Sequence, residues 1–145
     1  MTWATERLEA LKRREATPPP VVETLRLGLV DDWGEGWARK RWEPDAGLLN
    51  GDGTVFGGYL AALADQMLTF AAMTVLTDAE AMRTTDLQIR FFKLVRSGPL
   101  IVEGRVVRRS RSLIHVEVDF RSEDGDLVAR ASGQQFVTPF PRESR

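Results

Sequence analysis

The chain has 145 residues, a formal net charge of -1, 43% hydrophobic and 28% charged residues, and no cysteine. This composition fits one soluble globular domain with a real core, excludes disulfides, thiolate nucleophiles, zinc-thiolate and iron–sulfur sites, and lacks the global basic field that drives non-specific nucleic-acid binding. His115 is the sole histidine, so a histidine-built metal site is excluded and a Ser-His-Asp triad would need that residue as its base; no Gly-x-Ser-x-Gly nucleophile elbow is present.

Residues 1–20 mix both charge signs and lack an apolar core segment, so no secretory signal is expected and a cytoplasmic location is. Leu8 and Leu11, three apart, predict a short helix over Thr5 to Glu15, stopped by Pro18-Pro19-Pro20. Residues 1–20 thus read as a helical appendage and linker, and 21–145 as the main domain. Val21 to Val30 alternates well enough for a strand, "DDWGEG" supplies turn chemistry, and Trp37 to Trp42 reads as a strand paired back as a hairpin. Trp33, Trp37 and Trp42 are expected to pack this sheet against the N-terminal helix or a partner subunit. Residues 44–53, dense in Gly, Asp and Asn, are loop.

From Gly58 to Leu76 the chain is apolar nearly all round, the pattern of a helix covered on most sides. The run from Tyr59 approaches membrane-spanning length, but Asp65, Gln66, Thr69 and Thr74 interrupt it and no basic flank adjoins it, so it reads as a buried helix. Alternation follows, with Thr85, Leu87, Ile89 and Phe91 on one face of a strand and Thr84, Asp86, Gln88 and Arg90 on the other. Three more strands are expected at Pro99 to Arg109, Ser112 to Arg121 and Asp126 to Val137, the last two joined through Asp124-Gly125. In the middle one, Ile114, Val116, Val118 and Phe120 face one way, and His115 lies on the polar side. One long helix and a four-strand meander are most simply built by curling the sheet around the helix.

A carboxylate on a helix that is otherwise buried is costly unless hydrogen-bonded, water-linked or neutralised. Asp65 is therefore either a functional group or a residue that caps backbone or pairs with an arginine. Gly57-Gly58 opens the helix; its free N–H groups and the helix dipole would hold developing negative charge, or the glycines relieve a tight turn.

The word Asn50-Gly51-Asp52-Gly53-Thr54-Val55-Phe56-Gly57-Gly58, followed by "YLAALA" and Asp65, resembles the Asn-Pro-x-Gly, His-Gly-Gly and Asp signature of hotdog-fold acyl-CoA thioesterases of the phenylacetate-degradation type. "DLVARASGQQF" is similar to that family's Gly-x-Leu-Val-Ala ending, and the likeness runs from about Val21 onward. Two positions depart from the pattern. Gly51 stands for the usual proline, which only loosens a turn; Phe56 stands for the usual histidine, which removes a polar side chain beside the reacting thioester.

The resemblance implies an α+β hotdog fold, a curved antiparallel sheet of about six strands wrapped around a long central helix. It also implies hydrolysis of an acyl-CoA or aryl-CoA thioester with no cofactor beyond the coenzyme A of the substrate, by a homodimer or a dimer of dimers, without metal, membrane or nucleic-acid partners. Asp65 would be general base on a water, or a nucleophile giving a mixed anhydride. Asn50 would add a donor to the thioester carbonyl beside Gly57 and Gly58, unless it is only an Asn-Gly turn residue. Thr84 aligns with a Ser/Thr that helps orient the water, or is a β-branched residue starting a strand. Phe56 either lines an acyl pocket, one suited to an aromatic group, or marks a slow or non-catalytic relative.

Arg108, Arg109 and Arg111, with Ser110 and Ser112 in the same turn, stand where related enzymes meet the nucleotide phosphates, and are otherwise solvated; Lys93 and Arg96 are weaker candidates. Gly57 and Asp65 lie eight residues apart, roughly 12 Å along one helix, too far to act on one thioester carbon. A site made between two copies related by a two-fold axis is therefore expected. The competing reading is a catalytically weak acyl-CoA-binding or regulatory hotdog protein. A hydratase is disfavoured because no histidine lies near Asp65, and a nucleic-acid module by charge.

Overall fold

Thr2 starts the first helix of the computed structural model, which describes residues 1–141. Its hydroxyl accepts from the Thr5 N–H and the Thr5 hydroxyl accepts from the Thr2 N–H, a reciprocal cap on α1 (Trp3–Lys12). α1 ends at Lys12, before the expected Glu15, because Arg14 adopts a left-handed backbone (φ 61°) and its guanidinium caps the carbonyls of Leu11 and Val30. Ala4, Leu8 and Leu11 are buried in the same core as the rest of the chain.

The strand expected over Val21 to Val30 is absent. Pro20 sits at N1 of a short helix, α2 (Pro20–Thr24), where its fixed φ favours helix, and left-handed residues at Arg26 (φ 52°) and Gly28 (φ 72°) break any extended run. The buried anchors Val22, Leu27 and Val30 follow at intervals of five and three, which a strand of period two does not provide. The first strand instead lies inside the expected turn: β1 (Asp32–Gly34) pairs with β2 (Trp37–Trp42) through a turn that uses Gly36 at φ 85°.

A single 3-10 turn, Ala46–Leu48, precedes the central helix, α3 (Gly57–Met73). The meander follows as β3 (Glu80–Phe91), β4 (Leu100–Arg109), β5 (Leu113–Ser122) and β6 (Leu127–Pro139). All six strands form one antiparallel sheet in the order β1-β2-β4-β5-β6-β3, so β3 is a long edge and β1 a short one. Ile114, Val116, Val118 and Phe120 are buried as their alternation required. The helix sits so close to the sheet that a Cβ on Gly104 would lie 2.7 Å from the Met67 carbonyl oxygen, and one on Gly133 would lie 1.9 Å from a Leu68 methyl.

One facing is reversed from the alternation. A bulge between Thr84 and Asp86 adds a residue to β3, so that Thr84 pairs with Gln135 while Asp86 pairs with Gln134. Thr84 therefore points to the helix, together with Leu87, rather than away from it with Asp86. Among the described residues no helix is long and apolar enough to cross a membrane.

Candidate active site

Asp65 lies midway along α3, half-buried, and its Oδ1 accepts a 2.8 Å hydrogen bond from the Thr84 hydroxyl. That hydroxyl in turn accepts from Gln135 Nε2 at 3.0 Å, and the same amide nitrogen donates to Thr69 Oγ1 at 3.3 Å. The order of donation is fixed: Gln135 has N–H to give, so the Thr84 hydroxyl proton is directed at the carboxylate. Gln135 is fully buried and was not singled out from the sequence. Its signal was available, because Ala129, Ala131, Gly133 and Gln135 all fall on the inward register of β6, where a lone polar residue needs a partner.

Gly57 and Gly58 form the first turn of α3, and their N–H groups have no acceptor within the helix. Both are packed under aromatic rings. A Cβ on Gly58 would meet the Phe56 ring at 2.6 Å, and one on Gly57 would meet the Phe91 ring at 3.1 Å. Phe56 is the N-cap residue, makes no side-chain cap bond and is 55% exposed.

Asn50 holds the turn before the helix. Its Nδ2 donates to Thr54 Oγ1 (3.1 Å) and the Val55 carbonyl (3.4 Å), and its own carbonyl accepts from the Gly53 N–H. Asn50, Phe56 and Gly58 line one hollow of about 390 Å³, whereas Asp65 lines a neighbouring cavity of about 490 Å³; Leu25 and Ala62 border both. Within one chain the glycine-opened helix end and the carboxylate are thus in adjacent, separate hollows.

The arginine turn divides. Arg109 is engaged by the Glu80 carboxylate and by the carbonyls of Val75 and Ser110, which ties the β4–β5 turn to the far end of α3. Arg108, Arg111 and Ser112 are exposed. Lys93 pairs with Asp126 at 3.0 Å and Arg96 donates to the Asp52 carbonyl at 2.9 Å. The tryptophans separate: Trp33 donates to Glu9 of α1, whereas Trp42 stacks at 5.3 Å on Tyr59 of α3. On the outer face of the sheet, Asp119 is buried beneath Arg105, Arg121 and Arg130, and Glu103 and Glu117 pair with the same arginines to balance the cluster's charge.

Lys40 is the other residue the sequence reading passed over. It is 1% exposed, on the inward side of β2 between Ala38 and Trp42, and donates to the Leu27 carbonyl at 2.6 Å and to Gln66 Oε1. Burial lowers its pKa from 10.5 to about 7, opposed by the charge of Asp31. Because the folded value is the lower one, the unfolded chain binds more protons between about pH 7 and 10.5. Lys40 is therefore expected to make stability rise with pH through this window, by roughly 1 kcal/mol per pH unit, and to contribute no slope below it. Denaturant midpoints at pH 7 and 9 check this: the slope should disappear in Lys40→Met, and an unchanged slope would mean that Lys40 is not the group responsible.

A curved antiparallel sheet wrapped on one long helix, with a glycine-opened helix start and a carboxylate two turns along, defines the hotdog architecture. Residues 52–129, more than half of the chain, match the Thioesterase superfamily, and the chain belongs to that family. A candidate esterase of Saccharolobus solfataricus is 35% identical over 85 residues, 59% of this chain and 60% of the relative; the chain thus spans less than two thirds of that relative's length. Among solved structures, a Ralstonia eutropha protein described as a candidate thioesterase, phenylacetic acid degradation-related, superposes with a TM-score of 0.78 at 28% identity, over 89% of this chain and 98% of the other. A Streptococcus mutans protein solved bound to acetyl-CoA has a TM-score of 0.71 at 24% identity, over 78% and 90% of the two chains.

Proposed function

We propose that the protein hydrolyses a coenzyme A thioester of an acyl or aryl acid, with Asp65 as general base. The observation that carries this reading is the Gln135–Thr84–Asp65 chain, which aims a hydroxyl proton at one carboxylate oxygen and fixes its orientation. A water beside Asp65 would lose its proton to the carboxylate as its oxygen attacks the thioester carbon. The carbonyl becomes an oxyanion facing the Gly57 and Gly58 N–H groups; the Asn50 amide would join them by turning from its contacts with Thr54 and Val55. Collapse breaks the carbon–sulfur bond; the thiolate takes the proton from Asp65 and leaves as coenzyme A, and the acid remains. No cofactor takes part in this sequence.

The two halves of the machinery would come from two copies of the chain. β3 is a twelve-residue edge strand carrying Thr84, and such an edge is a template for a second strand. Two copies paired about a two-fold axis would place one helix start against the other's Asp65. Arg108 and Arg111 supply exposed cations for the nucleotide phosphates. The finer placement, in the phenylacetate-degradation type, is supported by the glycine-to-Asp65 word and by the Ralstonia eutropha likeness.

Phe56 favours a second reading, an acyl-CoA binder with weak catalysis, because the ring over Gly58 offers no hydrogen bond. Free-thiol release from a panel of CoA thioesters decides between them. Turnover supports the hydrolase, whereas thermal stabilisation by the same thioesters without release supports the binder.

A further inference from the structure

We propose that the 490 Å³ cavity beside Asp65 is the acyl pocket, and that the chain's own N-terminal arm makes it selective for medium-length apolar acyl groups. The placement of the carbonyl at Asp65 rests on the hydrolase reading above; the shape and chemistry of the cavity do not. Its α3 wall is one helix face, Ala62, Asp65, Gln66, Thr69, Phe70 and Met73, at three-and-four spacing. Asp65 stands early on that face. From it, Phe70 and Met73 extend the wall by eight residues, roughly 12 Å, toward the C-terminal end of the helix. An acyl chain whose carbonyl meets Asp65 therefore has a largely apolar path along α3, past Phe70 to Met73.

The rest of the lining comes from α1, from β3 and from the arm, residues 19–28, with the cations of Arg7 and Arg83 among the α1 and β3 contributions. Val21, Val22, Leu25 and Leu27 line the cavity, so the segment that breaks the expected strand is the one that closes this space. It is held at three successive carbonyls: Tyr59 Oη donates to Arg26 at 2.8 Å, Lys40 Nζ to Leu27 at 2.6 Å, and Gln66 Nε2 to Gly28 at 2.8 Å. Two of these donors belong to α3 and the third to β2. This explains the buried lysine, which also donates to Gln66 and so secures a neighbour of Asp65. A wall fixed in advance spends no binding energy on ordering itself, so added apolar contact appears as affinity. The volume lies within the roughly 300–1,000 Å³ of small-molecule pockets.

The test uses S-ethyl-, S-butyl-, S-hexyl- and S-octyl-CoA, thioethers that cannot be hydrolysed, titrated by calorimetry into the full chain. Each added methylene is expected to tighten Kd by about three- to fourfold as far as the octyl compound. Val21 and Leu25 are already partly exposed, so tryptophan is tolerable at either place, and Val21→Trp and Leu25→Trp should each fill the cavity. Both should weaken S-octyl-CoA at least tenfold relative to S-ethyl-CoA. An affinity independent of chain length in the wild-type protein would overturn the proposal, as would variants that shift the ethyl and octyl compounds equally. Length-dependent binding without thiol release from the matching thioesters sinks the hydrolase and leaves the pocket; thiol release with flat binding does the reverse.

Discussion

Replacing Asp65 by asparagine is expected to lower kcat for CoA-thioester hydrolysis by roughly 10²- to 10⁴-fold, the span attributed to a positioned general base. The substitution keeps the shape of the side chain and keeps an oxygen for the Thr84 hydroxyl, so the helix and the Gln135–Thr84 contact should survive. What it removes is the ability to take a proton from water. Affinity for a thioether analogue should accordingly change much less than kcat. Full activity in Asp65→Asn would remove the general base from the mechanism, and an equal loss of binding and turnover would make Asp65 a structural residue instead.

The second large effect is expected at the helix start. Gly57 is the first residue of α3, where proline is tolerated because the N–H it lacks has no intrahelical acceptor. Phe56, the preceding residue, already has φ -59° and ψ 123°, a conformation that a following proline permits. The neighbouring Phe91 ring is half-exposed and free to shift from the added atoms. Gly57→Pro should therefore fold, while deleting one N–H donor from the site where the oxyanion forms. Loss of such a donor is worth roughly 10²- to 10³-fold in kcat. Thiol release at saturating substrate, with a melting curve as the folding control, measures it; near-normal turnover would assign the oxyanion to other donors.

How far the sequence disclosed this molecule depended on whether a feature was periodic. The α3 pattern and the alternation of β5 are local and strong, so helix and inward face were legible residue by residue. Residues 21–30 misled because their valines and leucines suit either state, and only Pro20 at a helix start and the left-handed Arg26 and Gly28 decide against a strand. Thr84 fits the site by its place in the motif, yet alternation alone puts it on the outer face, since a single bulge at its neighbour reverses a strand's facing and leaves no clear composition signal. Lys40 and Gln135 could have been found. Each occupies an inward position between buried residues, and a polar side chain there demands partners. The cavity could not have been read, because its walls come from segments some forty residues apart that meet only when the arm is pinned by Tyr59, Lys40 and Gln66.

The central claim is that Asp65 of one copy works with the Gly57 helix start of another. Complementation between the two inactive variants tests it most directly: Asp65→Asn and Gly57→Pro chains, carried on different tags, are co-expressed and the assemblies assayed for thiol release. In a mixed dimer, an intersubunit arrangement leaves one site with an intact Asp65 facing an intact Gly57, so random pairing should restore roughly a quarter of wild-type activity. If tag capture shows mixed assemblies and activity stays at the level of the single variants, the carboxylate and the helix start do not meet across subunits.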